Sequence, residues 1–361
     1  LLYISFIFIL FFVIIILGDK MIKKAINYII EFIKEEYRFI IFMLLLIILL
    51  NYPVNYYIIA GGGISDVSSR IEVKDKHKSK GNFNISYVTE LKGTLFSYAL
   101  SYVVPTWERD STDNYKYTEE ESLEDIEFRN DLDLKTANGT ATYWAYTLAN
   151  KKIEEKDSKV YVILIDNKDY KTDLKVQDEI LSIDGKTYKT TKEYKEYLQT
   201  KNTNDKVEVK VLRDNKEKII TSNVYEYKGI KLLGIGLQTV KEYKTTPKVD
   251  IKFNKSESGP SGGLITTLEI YNQLVKKDLT KGYTIAGTGT IEEDGTVGQI
   301  GGIEYKILGA EKGGADYFLV PAGQNYKDAK RYKEKNNLKI KLIKVKTIQD
   351  AIEKLEALKW E

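Results

Sequence analysis

The chain has 361 residues, and its 55 lysines and arginines nearly balance its 52 aspartates and glutamates, leaving a net charge of +3. This balance argues against nucleic acid as a partner, because no basic stripe with interleaved aromatic residues is present. The absence of cysteine excludes disulfides, thiolate metal sites and a cysteine nucleophile. The single histidine, His77, lies in a lysine-rich stretch typical of a solvated loop. A hydrolase of this sequence would therefore use lysine or a carboxylate as its base.

The N-terminal sixty residues are rich in apolar side chains. Residues 39–50 are uninterrupted apolar sequence, and with residues 51–60 they reach the ~20 residues of a membrane-spanning helix. Basic residues precede this stretch, so the positive-inside rule places residues 61–361 outside the cytoplasm. The sequence thus predicts an interfacial helix and a transmembrane anchor within residues 21–60, in contact with the lipid bilayer. A buried core helix is the alternative.

A second apolar run occupies residues 1–17 and is marginally long for a bilayer. Residues 1–20 are either an extra span or a mis-called start, since Met21 begins a natural-looking N-terminus. Both interpretations leave residues 61–361 on one side of the membrane.

The next region, residues 61–144, is predicted to be a β-rich extracytoplasmic segment. Residues 84–88 and 98–104 have the apolar and β-branched composition of strands. Residues 117–127 are acidic and are interpreted as a solvated loop or helix face.

Residues 145–225 show a regular order of elements. Residues 160–165 predict a buried strand, residues 178–186 a strand closing on an Asp-Gly turn, and Thr190 to Glu193 a capping box that begins a helix. This order, and the run DEILSIDGKTY in particular, resembles a PDZ domain, which implies a peptide or protein partner. No glycine-rich carboxylate-binding loop is recognisable within it, and a small β-rich spacer is the alternative. Gly185-Lys-Thr lacks the earlier glycine of a P-loop, so it indicates no ATP site.

Two later segments carry the chemistry. Gly259-Pro-Ser-Gly-Gly263 is a glycine-rich loop that leads into an apolar-periodic helix, with Ser261 at its start. A serine there is either an ordinary N-cap or a nucleophile beside free backbone N–H donors. Farther on, Gly301-Gly302 begins a helix that contains Lys306 among apolar neighbours. Such a lysine is either solvated or, when desolvated, a base.

Together these segments resemble the proteolytic domain of Lon-type proteases, over residues 233–358. GPSGG stands where that family has Gly-Pro-Ser-Ala-Gly, and GGIEYK where it has Gly-Gly-x-x-x-Lys. The resemblance implies that Ser261 is the nucleophile, that Lys306 is the base and that Thr288 holds the lysine. The motif residues expected to support them are Gly259, Pro260, Gly262, Gly301 and Gly302. Gly262 replaces the family's usual alanine, and Ser258 stands where many ATP-dependent members carry an acid.

The whole order resembles the membrane-anchored PDZ–Lon serine proteases of Gram-positive bacteria, the YlbL-like group. It implies an α/β Lon-type proteolytic domain with a mixed sheet, residues 226–361, preceded by the β-rich PDZ-like domain and an N-terminal transmembrane helix. The implied activity is an ATP-independent Ser-Lys endopeptidase, without cofactor or metal, that cleaves exported peptides or small membrane-anchored proteins outside the cytoplasm. The rival interpretation is an anchored peptide-binding or scaffolding protein of the same fold without turnover. The sequence leaves oligomerisation open.

Overall fold

The computed structural model describes residues 2–104, 106–166, 168–253, 257 and 259–360, apart from the side chains of residues 2–20 and 22. Its helices are α1 (Leu2–Leu50), α2 (Leu95–Leu100), α3 (Leu123–Leu148), α4 (Thr191–Leu198), α5 (Gly263–Leu274), α6 (Ile303–Lys312), α7 (Gln324–Lys335) and α8 (Ile348–Glu356), with a 3-10 turn at Thr112–Tyr115.

The strands in the N-terminal half are β1 (Pro53–Asp66), β2 (Ile71–Val73), β3 (Asn82–Thr94), β4 (Glu108–Ser111), β5 (Lys152–Ile165), β6 (Glu179–Ile183), β7 (Lys206–Arg213) and β8 (Lys216–Asn223). Those that follow are β9 (Tyr225–Tyr227), β10 (Ile230–Leu232), β11 (Ile235–Thr246), β12 (Val249–Ile251), β13 (Thr284–Gly287), β14 (Thr290–Ile291), β15 (Val297–Gly298), β16 (Tyr317–Pro321) and β17 (Lys341–Val345).

A mixed sheet in the order β17-β16-β13-β3-β1-β4 organises the larger domain. Strands β17, β16, β13 and β3 are parallel, whereas β1 pairs antiparallel with β3 and the edge strand β4 pairs antiparallel with β1. Successive residues point to opposite faces of a strand, so Ile285 joins a core with α5 and α8 while Ala286 joins a core with α6 and α7. The sheet is therefore covered by helices on both faces.

Residues 61–144 do not form the separate β-rich region that the sequence predicted. Strand β3 pairs with β13 along residues 82–85, about two hundred positions earlier in the chain, so this region completes the six-stranded sheet. Much of the remainder is the long helix α3, which packs against α5. The predicted strand at residues 98–104 is wrong as well. Thr94 caps helix α2 there, because its hydroxyl accepts the Ser97 N–H.

The smaller domain is built on an antiparallel sheet in the order β11-β5-β6-β7-β8, with α4 packed over its core. The predicted capping box at Thr190 and Glu193 is present at the start of α4. Strand β11 pairs with β5 along its whole length, from residue 235 to residue 246. The boundary predicted after residue 225 falls before β11, whereas the sheet continues through β11 to residue 246.

The predicted span does not continue to residue 60. Helix α1 ends at Leu50, and Pro53 begins β1, which pairs with β3 and buries Ile58 completely. The apolar residues after Leu50 therefore serve the sheet. Across the described part of the chain, no helix combines the length and the hydropathy needed to cross a membrane. The prediction for residues 1–20, an extra span or a mis-called start, concerns side chains outside the described residues.

Candidate active site

Ser261 lies in the loop that precedes α5, and tertiary contacts hold its backbone. Gly262 is the N-cap of α5, and Gly259 has a φ of +81°, a left-handed conformation that favours glycine. The Ser261 carbonyl accepts hydrogen bonds from Gly289 N at 2.8 Å and from Thr288 Oγ1 at 3.1 Å. The serine is thereby fixed between the N-terminus of α5 and the end of β13.

Lys306 reaches the same point from the other face of the sheet. It lies in the first turns of α6, where it is 4% exposed, and its carbonyl accepts from Ser86 Oγ at 2.7 Å. Its Nζ lies 2.9 Å from Ser261 Oγ and 3.2 Å from Thr288 Oγ1. The structure therefore brings together the three residues nominated from the sequence, although their catalytic roles stay predictions.

The approach of α6 to the sheet depends on glycines of both elements. A Cβ added at Gly309 would lie 2.9 Å from Gly63 N and 3.0 Å from the carbonyl carbon of Gly62. Only glycine allows backbones to come this close. Residues 61–63 directly follow the predicted anchor in the sequence. In the structure they determine how closely α6, the helix that contains Lys306, approaches β1.

The remaining motif residues shape the two loops. The Pro260 carbonyl accepts from Gly263 N, which forms the turn that contains Ser261. Gly302 caps α6 with a φ of +66°, and Gly301 faces open space. A Cβ at Gly262 would lie 2.9 Å from Ile85 Cδ1, so Ile85 fills the space that the family's alanine would need.

Burial sets the protonation of Lys306. Desolvation lowers the pKa of its ammonium from 10.5 to about 8, and the carboxylate of Glu90 opposes that shift. Ser86, Val88 and Glu90 lie on one face of β3. Ser86 donates to the Lys306 carbonyl and Val88 lies beside Gly302, the N-cap of α6, so this face of β3 is turned toward α6. The sequence indicated the burial but missed Glu90, because only strand pairing places β3 beside α6.

Activity is expected to rise with pH through about 8. Below its pKa Lys306 carries a proton and cannot accept another from Ser261, so kcat/KM should fall roughly tenfold per pH unit. Above about pH 9 it should level off, since the free amine then predominates. The measurement is kcat/KM for one peptide across this range, and a profile flat between pH 6 and 9 would contradict it.

Glu90→Gln supplies the internal check. Removing the negative charge should move the midpoint of that profile to lower pH, and added salt should shrink the difference because Glu90 is exposed. Glu304→Gln, an exposed carboxylate on α6 itself, is the matched control and should leave the midpoint in place.

His77, another candidate base, is remote from Ser261, and the described residues provide no metal site. His77 N bonds to Gln273 O at the C-terminal end of α5, the opposite end of that helix from Ser261. Within the described ranges, no group of three or more acidic or histidine side chains is arranged to hold a metal ion.

A cleft in the smaller domain lies between α4 and the edge strand β11, with Lys195, Glu196 and Lys241 in its lining. Thr191 N donates to Thr239 Oγ1 at 2.8 Å, which ties the start of α4 to β11. The glycine-rich stretch at residues 233–237, assigned from the sequence to the proteolytic domain, leads into β11 beside this cleft.

Two segments match known families. Residues 150–224 match the PDZ domain family, and residues 247–358 match the Lon protease (S16) C-terminal proteolytic domain. The chain therefore contains a segment similar to PDZ domains and, after it, a segment similar to the Lon-type proteolytic domain. This combination supports a PDZ-containing, Lon-like serine protease that binds peptide or protein substrates. The predicted fold class is confirmed to that extent, as a PDZ domain followed by a mixed α/β proteolytic domain.

Among solved structures, the chain is similar to the PDZ domain of the SdrC-like protein from Listeria monocytogenes, with 26% identity over 22% of this chain and 85% of that one, at a TM-score of 0.20. The corresponding domain from Listeria innocua gives 26% identity over 22% of this chain and 92% of that one, also at a TM-score of 0.20. No curated protein matches the chain.

Proposed function

We propose that the PDZ–Lon chain is an ATP-independent serine endopeptidase that works with a Ser261–Lys306 dyad. The observation that carries this is the 2.9 Å approach of Lys306 Nζ to Ser261 Oγ, together with a lysine pKa that burial lowers to about 8. A hydroxyl beside a neutral amine is an activated nucleophile.

The reaction is acyl transfer to the serine and then to water. Neutral Lys306 takes the proton of Ser261 Oγ as that oxygen bonds to the scissile carbonyl carbon. The resulting ammonium returns the proton to the leaving amine as the C–N bond breaks. Lys306 then deprotonates a water molecule as that water attacks the ester carbonyl carbon, and it returns the proton to Ser261 Oγ as the ester C–O bond breaks.

Neighbouring groups prepare both partners for this step. Thr288 Oγ1 donates its proton to the Ser261 carbonyl, so its lone pairs are free to accept from Lys306 Nζ. That hydrogen bond uses one N–H of the neutral amine, so the single lone pair of Nζ is oriented toward Ser261 Oγ. The backbone amides at the N-terminus of α5 would stabilise the oxyanion, because helix N-termini present free N–H donors and positive potential.

The PDZ domain selects substrates in this proposal. Strand β11 is an edge strand, and an extended peptide can add to such an edge through main-chain hydrogen bonds. The cleft beside α4 supports that role, because it would receive the side chains of the added strand.

A fluorophosphonate probe tests the dyad. Wild-type protein should be labelled, and it should cleave peptide without added ATP, whereas Ser261→Ala should do neither. Ser158→Ala, which removes a partly exposed serine of the smaller domain, is the matched control and should label normally. Persistent labelling of Ser261→Ala, or an unlabelled wild type, would favour the non-catalytic scaffold instead.

A membrane location is also proposed, with α1 as the anchor and residues 61–361 outside the cytoplasm. The exposed apolar side chains along residues 39–49, preceded by basic residues, support it. Exported peptides and small membrane-anchored proteins are the substrates that this location implies. A protease added to intact cells should release the C-terminal part. Release from lysed cells alone would mean that residues 61–361 lie inside the cell and that the proposed orientation is wrong.

A further inference from the structure

Helix α3 lies between the PDZ domain and the loop that contains Ser261. One side of it contacts strand β11 of the PDZ sheet, and another packs against α5. Its start is anchored by the buried ion pair of Glu121 with Arg129, whose guanidinium also stacks on Tyr117. Helix α3 lies outside both segments that match known families, and the sequence predicted no role for its contacts.

The contact with the PDZ domain is specific. Gln238 of β11 donates from Nε2 to Asp133 Oδ1 at 3.0 Å and to Thr136 Oγ1 at 3.1 Å. A Cβ on Gly139 would lie 2.9 Å from the Lys241 carbonyl, so helix and strand are in close contact. The next residue of β11, Thr239, points the other way and bonds to Thr191 of α4. One face of β11 therefore holds α3 while the other forms the peptide cleft.

The contact with the proteolytic domain lies one turn away on the same helix. The Asn130 carbonyl accepts from Gly259 N at 3.2 Å, and residues 130 and 133 are neighbours at i and i+3. Gly259 is the first residue of the Gly-Pro-Ser turn and has the left-handed φ of +81°. Helix α3 thus bonds directly to the backbone two residues before Ser261.

We propose that Gln238 is a positioning residue for the proteolytic reaction, acting through Asp133 and Thr136 of α3 to hold Gly259 and, with it, Ser261 in line with Lys306. This rests on the proposed dyad. A peptide that adds to β11 would lie along the strand whose opposite face carries Gln238. The hydrogen bonds of Gln238 to α3 thereby link occupancy of the PDZ cleft to the loop that contains Ser261.

The test compares two substitutions on β11. Gln238→Leu nearly keeps the side-chain volume and removes both hydrogen bonds to α3, while Glu242→Gln removes only the charge of an exposed ion pair with Lys156. For a short peptide that is cleaved without using the PDZ cleft, Gln238→Leu should lower kcat and the rate of fluorophosphonate labelling about tenfold with KM unchanged. Glu242→Gln should leave both rates at the wild-type value.

A double-mutant cycle separates positioning from general destabilisation. Asp133→Leu should slow labelling in the wild-type background. It should add little to Gln238→Leu, because the Gln238–Asp133 hydrogen bond is already absent there. Equal labelling by Gln238→Leu and wild type, additive losses, or an equal loss in Glu242→Gln would overturn the proposal. Failure of the dyad itself would be seen separately, as an unlabelled wild type.

Discussion

Replacement of Lys306 by arginine is expected to abolish turnover, with a loss of roughly 10²–10⁴-fold in kcat. The guanidinium stays protonated at every working pH, so it cannot accept the Ser261 proton. It is also too large and too strongly charged for a site where the lysine is 4% exposed. The measurement is the rate with one peptide, from pH 6 to 10, for wild type and variant.

Two further variants make that result interpretable. Lys306→Ala should be equally inactive yet folded, because it removes a buried charge that desolvation disfavours. Lys312→Arg, an exposed change on the same helix, should retain wild-type activity. Substantial turnover by Lys306→Arg would mean that another group is the base and that the dyad is wrong.

Removing the carboxylate of Glu121 should destabilise the proteolytic domain by about 3–5 kcal/mol. Its partner Arg129 is 5% exposed and also donates to the Tyr115 carbonyl at 2.6 Å. Glu121→Ala leaves that guanidinium buried without its counter-charge, which is the costly way to break an ion pair. Denaturant unfolding followed by tryptophan fluorescence, to which Trp144 of α3 contributes, would report the change.

Two comparisons identify the cause. Replacing both partners by methionine should recover much of the lost stability, since no unpaired charge then remains buried. Glu127→Ala, which breaks the exposed pair with Lys92, should cost less than about 1 kcal/mol. Equal losses in Glu121→Ala and Glu127→Ala would show that burial does not decide the strength of these pairs.

The sequence alone was sufficient to nominate Ser261, Lys306 and Thr288, because each lies in a short motif whose spacing is local. It also predicted where α4, α5 and α6 begin, since caps and glycine turns act within a few residues. Burial of Lys306, and hence a pKa near 8, followed from apolar neighbours on its own helix.

Contacts between distant segments were decided by the tertiary structure. Residues 53–60 are apolar in any window, and only their pairing in β1 distinguishes a sheet strand from the end of a span. The sequence placed residues 233–246 with the proteolytic domain, and only the register of β11 with β5 assigns that strand to the smaller sheet. Glu90 beside Lys306, and α3 between Gln238 and Gly259, arise from pairings over one hundred or more residues, for which local periodicity contains no signal.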